Sequence, residues 1–241
     1  MKPAKLVHIA VRSANPRALA DFYKGAFGLR EVLSNRKAVD LWDGYLFLAI
    51  NPPTANGPMG LNHFGFLVDD VDALRPRLER AGASKVEARP AGRSFTDWRV
   101  HDPEGNPIDL SSRGYDTIPA ERLEKAVGDG AMNEVRRLVI RAQNPGRLAE
   151  FYTEVFGLAA KDFAGGVVLT DGVVQLVLLN RDGREEGLFG YGLAAHGDAT
   201  LTRLKALDAS IASEPDWIDC GKRQMVLRDP ENNLVALFGA E

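Results

Sequence analysis

Asn15-Pro-Arg-Ala-Leu-Ala-Asp-Phe-Tyr-Lys-Gly-Ala-Phe-Gly-Leu29 returns 129 residues later as Asn144-Pro-Gly-Arg-Leu-Ala-Glu-Phe-Tyr-Thr-Glu-Val-Phe-Gly-Leu158, with nine of fifteen positions identical. A second stretch, Asp102-Pro-Glu-Gly-Asn-Pro-Ile-Asp-Leu110, returns as Asp229-Pro-Glu-Asn-Asn-Leu-Val-Ala-Leu237. Two matches in the same order mark an internal duplication. The first motif reads as a helix. Asn15 is a good N-cap, Pro16 fits the first turn, and Gly28 fits the left-handed stop. Leu19, Phe22, Tyr23 and Phe27 recur at helical spacing and form a core-facing stripe, a better reading of the Phe-Tyr pair than an aromatic binding box.

Working outward, Lys5–Arg12 reads as a strand before that helix, and apolar runs near 30–33, 37–42 and 45–50 as three strands after it. The plan restarts at Gly60, with a strand over 61–68, a helix over 71–81 ending at Gly82, and strands near 84–88, 94–101 and 107–112. The second half repeats it: a strand over 135–141, a helix over 145–156, and strands to 180. A further strand follows from Leu188, then a helix over 198–207 and strands near 217–227 and 234–238. The expected fold class is α+β: two tandem halves, each a pair of βαβββ units. Residues 1–115 and 134–241 are the two domains and 116–133 the linker, with a helical stretch near Leu123 to Val127.

The 241 residues carry a net charge of −3 and are 45% hydrophobic and 26% charged, as in ordinary globular proteins. That balance gives no reason to expect a nucleic acid or an anionic membrane as partner. No apolar run approaches the ~18 residues that span a bilayer, and Leu6 to Val11, broken by His8, is too short for a secretion signal. Cys220 is the lone cysteine, which excludes an internal disulfide. The expectation is a cytoplasmic monomer or homodimer acting on a small-molecule substrate.

Three metal-capable side chains stand on separate strands: His8 on the first, His63 at the start of the second unit, and Asp109 after the Asp-Pro-Glu-Gly-Asn turn. A lone strand histidine is ordinarily a packed, hydrogen-bonded residue, and Asp109 alone would read as a strand-end cap. Together they read differently. His8 and His63 hold equivalent places in consecutive units, and Asp109 is an acid on a half-buried strand, where an unpaired carboxylate is costly. The second half is an internal control. Its aligned residues are Arg137, Phe189 (Tyr191 if the register slips) and Ala236, so all three groups vanish together. Two histidines and one carboxylate form an open triad suited to Fe(II), with Mn(II), Zn(II), Co(II) or Ni(II) as other occupants.

Paired strand–helix–three-strand units, a His opening each unit, a helix running into F-Y-x-x-x-F-G-L, and D-P-x-G-N before an acidic strand residue resemble the vicinal oxygen chelate superfamily. That superfamily includes glyoxalase I, type I extradiol dioxygenases, fosfomycin-resistance enzymes, methylmalonyl-CoA epimerase and bleomycin-binding proteins. The resemblance implies that each half curls its units into a cupped eight-stranded mixed sheet. It also implies a metal held by His8, His63 and Asp109, with a degenerate second half. Where the four-ligand lyases have a fourth ligand, this chain has Phe47. Where extradiol enzymes have Glu and Tyr, it has Asp109 and Arg99. It is therefore expected to be a relative of the dioxygenases and not a standard catechol cleaver.

Asp97, Arg99 and His101 alternate on the strand before the turn and share a face. Arg99 is a candidate to bind a carboxylate or phenolate, and His101 to act as general acid or base. Arg12, Tyr45, Phe47, Asp97 and Tyr115 complete the candidate substrate-binding set, with Trp42 nearby. His196 reads as a surface-loop residue. The leading expectation is an Fe(II)-dependent dioxygenase-like enzyme acting on a small aromatic or enolisable substrate that chelates through vicinal oxygens. The alternatives are a redox-neutral lyase, isomerase or epimerase, and a metal-free binding protein of the bleomycin-sequestering kind.

Overall fold

A computed structural model describes residues 2–35, 37–55, 57–90, 95, 97–126, 133–195, 198–207, 210–211 and 224–239. The first half runs β1 (Lys5–Arg12), α1 (Pro16–Phe27), β2 (Arg30–Ser34), β3 (Val39–Trp42), β4 (Phe47–Asn51), β5 (Gly60–Leu67), α2 (Val71–Arg80), β6 (Glu87–Ala88), β7 (Trp98–His101) and β8 (Pro107–Ser111). After α3 (Ala120–Ala126) the plan repeats as β9 (Glu134–Ala142), α4 (Pro145–Phe156), β10 (Ala159–Phe163), β11 (Gly166–Thr170) and β12 (Gln175–Asn180). It closes with β13 (Gly187–Ala195), α5 (Asp198–Ala206), β14 (Ser210–Ile211), β15 (Gln224–Arg228) and β16 (Leu234–Gly239). The strands form two eight-stranded mixed sheets, of order β2-β3-β4-β1-β5-β8-β7-β6 and β10-β11-β12-β9-β13-β16-β15-β14. The α+β architecture and the duplication expected from the sequence are both present. The linker helix spans Ala120–Ala126, starting three residues earlier than the sequence pattern implied. His196, Cys220 and the expected strand start near 217 lie outside the described residues.

The repeated helices are built alike because their ends carry the same signals. Asn15 accepts a hydrogen bond from the Ala18 N–H at 3.2 Å, and Asn144 one from Arg147 at 3.0 Å. Gly28 (φ 73) and Gly157 (φ 70) turn left-handed and donate back to the carbonyls of Lys24 and Thr153. That conformation is nearly free for glycine and costly for any residue with a Cβ. Each helix buries its Leu, Phe-Tyr and Phe positions, as the periodicity requires.

The Asp-Pro-Glu-x-Asn turns have a use of their own. Asp102 Oδ1 accepts from the N–H groups of Glu104 and Asn106, both at 2.9 Å, while Asn106 Nδ2 returns to Oδ2 at 2.8 Å. Asp229 and Asn233 repeat these bonds. The fourth position is left-handed in both turns. It is Gly105 in one and Asn232 in the other, the two residue types that tolerate this conformation best.

By contact density the chain divides into two compact units. One comprises Met1–His8, His63–Thr117 and Arg137–Phe189, and the other Ile9–Asn62, Ile118–Arg136 and Gly190–Glu241. In the first, Phe66 stacks on Phe156 with ring centroids 4.3 Å apart, and Tyr152 lies beside Phe64 and Phe66. In the second, Tyr23 packs on Phe27 and Tyr191. No helix among the described residues is long and apolar enough to cross a membrane.

Candidate metal centre

Strand register sets up the site, which lies wholly in the first unit. The parallel β5–β8 pairing places Gly65 opposite Asp109, and the antiparallel β7–β8 pairing places Arg99 opposite Asp109. A row therefore runs Gly65, Asp109, Arg99 across three strands. His63 stands two residues before Gly65 on the same face of β5, because side chains alternate along a strand.

His8, His63 and Asp109 are all buried, and one ligand atom from each lies within 4.8 Å of the others. His8 Nε2 and His63 Nε2 are 3.2 Å apart, and His63 Nε2 is 3.2 Å from Asp109 Oδ2. Donors held ~2.1 Å from one ion at right angles or slightly wider stand about 3.0–3.2 Å apart, so these separations fit a divalent cation. Hydrogen bonding alone serves the trio poorly. His63 Nε2 faces both His8 Nε2 and the Asp109 carboxylate, and with at most one proton it cannot donate to both.

The protonation states suit the same use. Burial, reinforced by His63, pushes His8 down to about 3. Burial likewise lowers His63, against the pull of Asp109. Both imidazoles are neutral at physiological pH and keep the lone pairs that a metal requires. Burial pushes Asp109 upward, but His63 and Arg99 outweigh it and hold the carboxyl well below the usual carboxylate range.

Supporting residues surround the trio. Tyr115, expected as a pocket residue, places its hydroxyl 2.6 Å from His8 Nδ1, which leaves Nε2 turned toward His63. Phe95 stacks on the His8 ring with centroids 4.7 Å apart and packs against Tyr115. Gly65 makes room for Phe95: a Cβ there would stand 2.5 Å from the Phe95 ring and 2.9 Å from the Asp109 carbonyl oxygen. Phe95 was missed in the sequence, although extending the 97, 99, 101 alternation back by one step reaches it.

Arg99 donates from Nε to Asp109 Oδ1 at 2.6 Å, so the two carboxylate oxygens are divided between Arg99 and His63. Asp97 and His101 are engaged elsewhere. Asp97 takes a two-pronged ion pair from the exposed Arg113, and His101 Nδ1 lies 3.4 Å from Ser84 Oγ. Neither is among the groups converging on His63. Three other expected residues belong to the second unit. Arg12 lies against Gly57, the Tyr45 ring faces the Arg136 guanidinium at 5.8 Å, and buried Phe47 stacks on Trp42.

The pairing corrects one alignment in the second half. Gly192 pairs with Ala236 as Gly65 pairs with Asp109, so the counterpart of His63 is Gly190, neither Phe189 nor Tyr191. The three positions there are Arg137, Gly190 and Ala236, none of which offers a metal ligand. Among the described residues, His8, His63 and Asp109 form the one cluster of metal-capable groups.

Residues 8–111 match the glyoxalase-like domain, and residues 134–237 the glyoxalase/bleomycin resistance protein/dioxygenase superfamily. The fold is similar to the 2,3-dioxygenase LapB from Pseudomonas sp. KL28, with a TM-score of 0.70 at 18% identity, covering 100% of this chain and 93% of that one. It is also similar to homoprotocatechuate 2,3-dioxygenase from Arthrobacter globiformis, with a TM-score of 0.72 at 18% identity over 99% and 80% of the two chains. The Mn(II)-bound glyoxalase from Novosphingobium aromaticivorans gives a TM-score of 0.68 at 16% identity over 99% and 82%. No curated protein sequence matches the chain. With a domain of this type in each half and the same architecture in its structural neighbours, the chain belongs to the vicinal oxygen chelate superfamily, the group of the glyoxalases, bleomycin resistance proteins and extradiol dioxygenases.

Proposed function

We propose that this chain is a metal-dependent enzyme whose centre is held by His8, His63 and Asp109. Its reaction is a dioxygenase-like oxidation of a small aromatic or enolisable substrate bound through vicinal oxygens. The observation that carries this reading is the convergence of two neutral imidazoles and one ionised carboxylate on a single point. Three protein ligands leave positions open for a substrate, and a facial two-histidine, one-carboxylate set favours Fe(II). A bound divalent ion would supply Lewis acidity that lowers the pKa of a substrate hydroxyl.

The protein's own groups act around that centre. Tyr115 fixes the His8 ring so that Nε2 faces inward. Phe95 and Tyr115 cover the His8 ring with aromatic surface, which limits water at that edge. Arg99 holds one oxygen of Asp109 and leaves the other turned toward His63.

Oxygen consumption by the Fe(II)-loaded protein, offered a panel of catechols and hydroquinones, tests the reaction. Uptake of one dioxygen per substrate, abolished in His63→Ala, is the expected result. A redox-neutral isomerase or lyase reaction is the second reading, favoured by the likeness to a Mn(II)-bound glyoxalase. Turnover of an enolisable substrate with Mn(II) and no oxygen uptake would establish it in place of the first.

A further inference from the structure

Arg99 is more than a partner for Asp109. Its Nε is bonded to the carboxylate, yet its Nη2 is buried and has no hydrogen-bond partner among the described residues. A buried cationic N–H left unpaired is costly, and native proteins seldom keep one without a use. Arg99 is also placed for such a use: it stands opposite Asp109 across the β7–β8 pairing, so its guanidinium lies beside the proposed metal ligand.

We propose that Arg99 Nη2 receives an anionic group of the substrate, so that the preferred substrate is a vicinal-oxygen chelator that also bears a carboxylate. Arg99 thus holds the ligand Asp109 with one edge and the substrate with the other, a division that a single-headed Lys cannot reproduce. This inference rests on the metal-centre reading above and narrows its substrate class.

The test is anaerobic calorimetric titration of Mn(II)-loaded protein with catechol, 2,3-dihydroxybenzoate and 3,4-dihydroxybenzoate, on wild type and Arg99→Lys. Mn(II) content is read separately by paramagnetic resonance. At least one carboxylated probe is expected to bind tighter than catechol by about tenfold or more, the scale of one charge-assisted hydrogen bond. That preference is expected to collapse in Arg99→Lys with Mn(II) retained; Arg99→Gln serves the same comparison where Lys loses the ion. Equal affinities in wild type, or a preference that survives the substitution, would overturn the assignment while leaving the metal centre standing. Failure of wild type to bind Mn(II) would remove the metal reading itself, and this inference with it.

Discussion

Tyr152 donates its phenolic hydrogen to Asp102 at 2.6 Å, joining the repeated helix of the second half to the Asp-Pro-Glu-Gly-Asn turn of the first. Tyr23 makes the reciprocal bond to Asp229 at 2.7 Å. The turn glutamates complete each joint. Glu104 accepts from the N–H groups of Gln143 and Asn144, and Glu231 from Ala14, Asn15 and the Ser13 hydroxyl. The two repeated motifs are therefore the two sides of one connection, made twice. Burial raises the pKa of Asp102, and the Tyr152 bond opposes that shift. Tyr152→Phe leaves a buried carboxylate one donor short, and urea unfolding should show a loss of about 1–3 kcal/mol. Tyr23→Phe should behave alike. A neutral result for both would mean that these joints contribute packing alone.

Tyr115→Phe frees the His8 ring from its orienting bond. Loss of such a supporting partner typically weakens metal binding by about 10- to 100-fold. Competition with a chromophoric chelator measures it, and unchanged circular dichroism should show the fold intact. An affinity equal to wild type would place the tyrosine in the wall only.

Gly65→Ala drives a methyl into the Phe95 ring and the Asp109 carbonyl. Backbone cannot yield as a flexible side chain can, so a destabilisation of about 1–3 kcal/mol is expected, with weakened metal binding. Adding Phe95→Leu should recover part of both, since it removes the nearer obstacle. No recovery would mean that the Asp109 backbone contact dominates.

Metal-free protein should lose stability as the pH falls from about 6.5 toward about 3, the interval between the ordinary and the buried value of His8. The sign follows from linkage. In that interval the unfolded chain takes up a proton that the folded chain refuses, so unfolding is favoured as protons are added. His8→Gln should flatten this part of the curve. An unchanged slope would show that His8 protonates as readily folded as unfolded.

The trio was legible in the sequence because strand alternation, the repeat and the chemistry of His, His and Asp all pointed to one face. The counterpart of His63 was not, since a one-residue change of register moves every side chain to the other face, and only the Gly192–Ala236 pairing settles it. Phe95 lies just before β7, one alternation step beyond Asp97, and Tyr115 was legible as a pocket residue while its bond to His8 was not, since no periodicity reaches past β8. The Tyr152–Asp102 bond joins residues 50 positions apart from different halves, and both sides read locally as ordinary core and turn.

The most direct measurement is the metal content of anaerobically prepared protein, by elemental analysis, for wild type, His63→Ala and Asp109→Ala. The account predicts about one divalent ion per chain in wild type and near none in either variant, with the fold retained. Wild-type protein that stays metal-free when offered Fe(II) or Mn(II), or variants that keep a full complement, would contradict it.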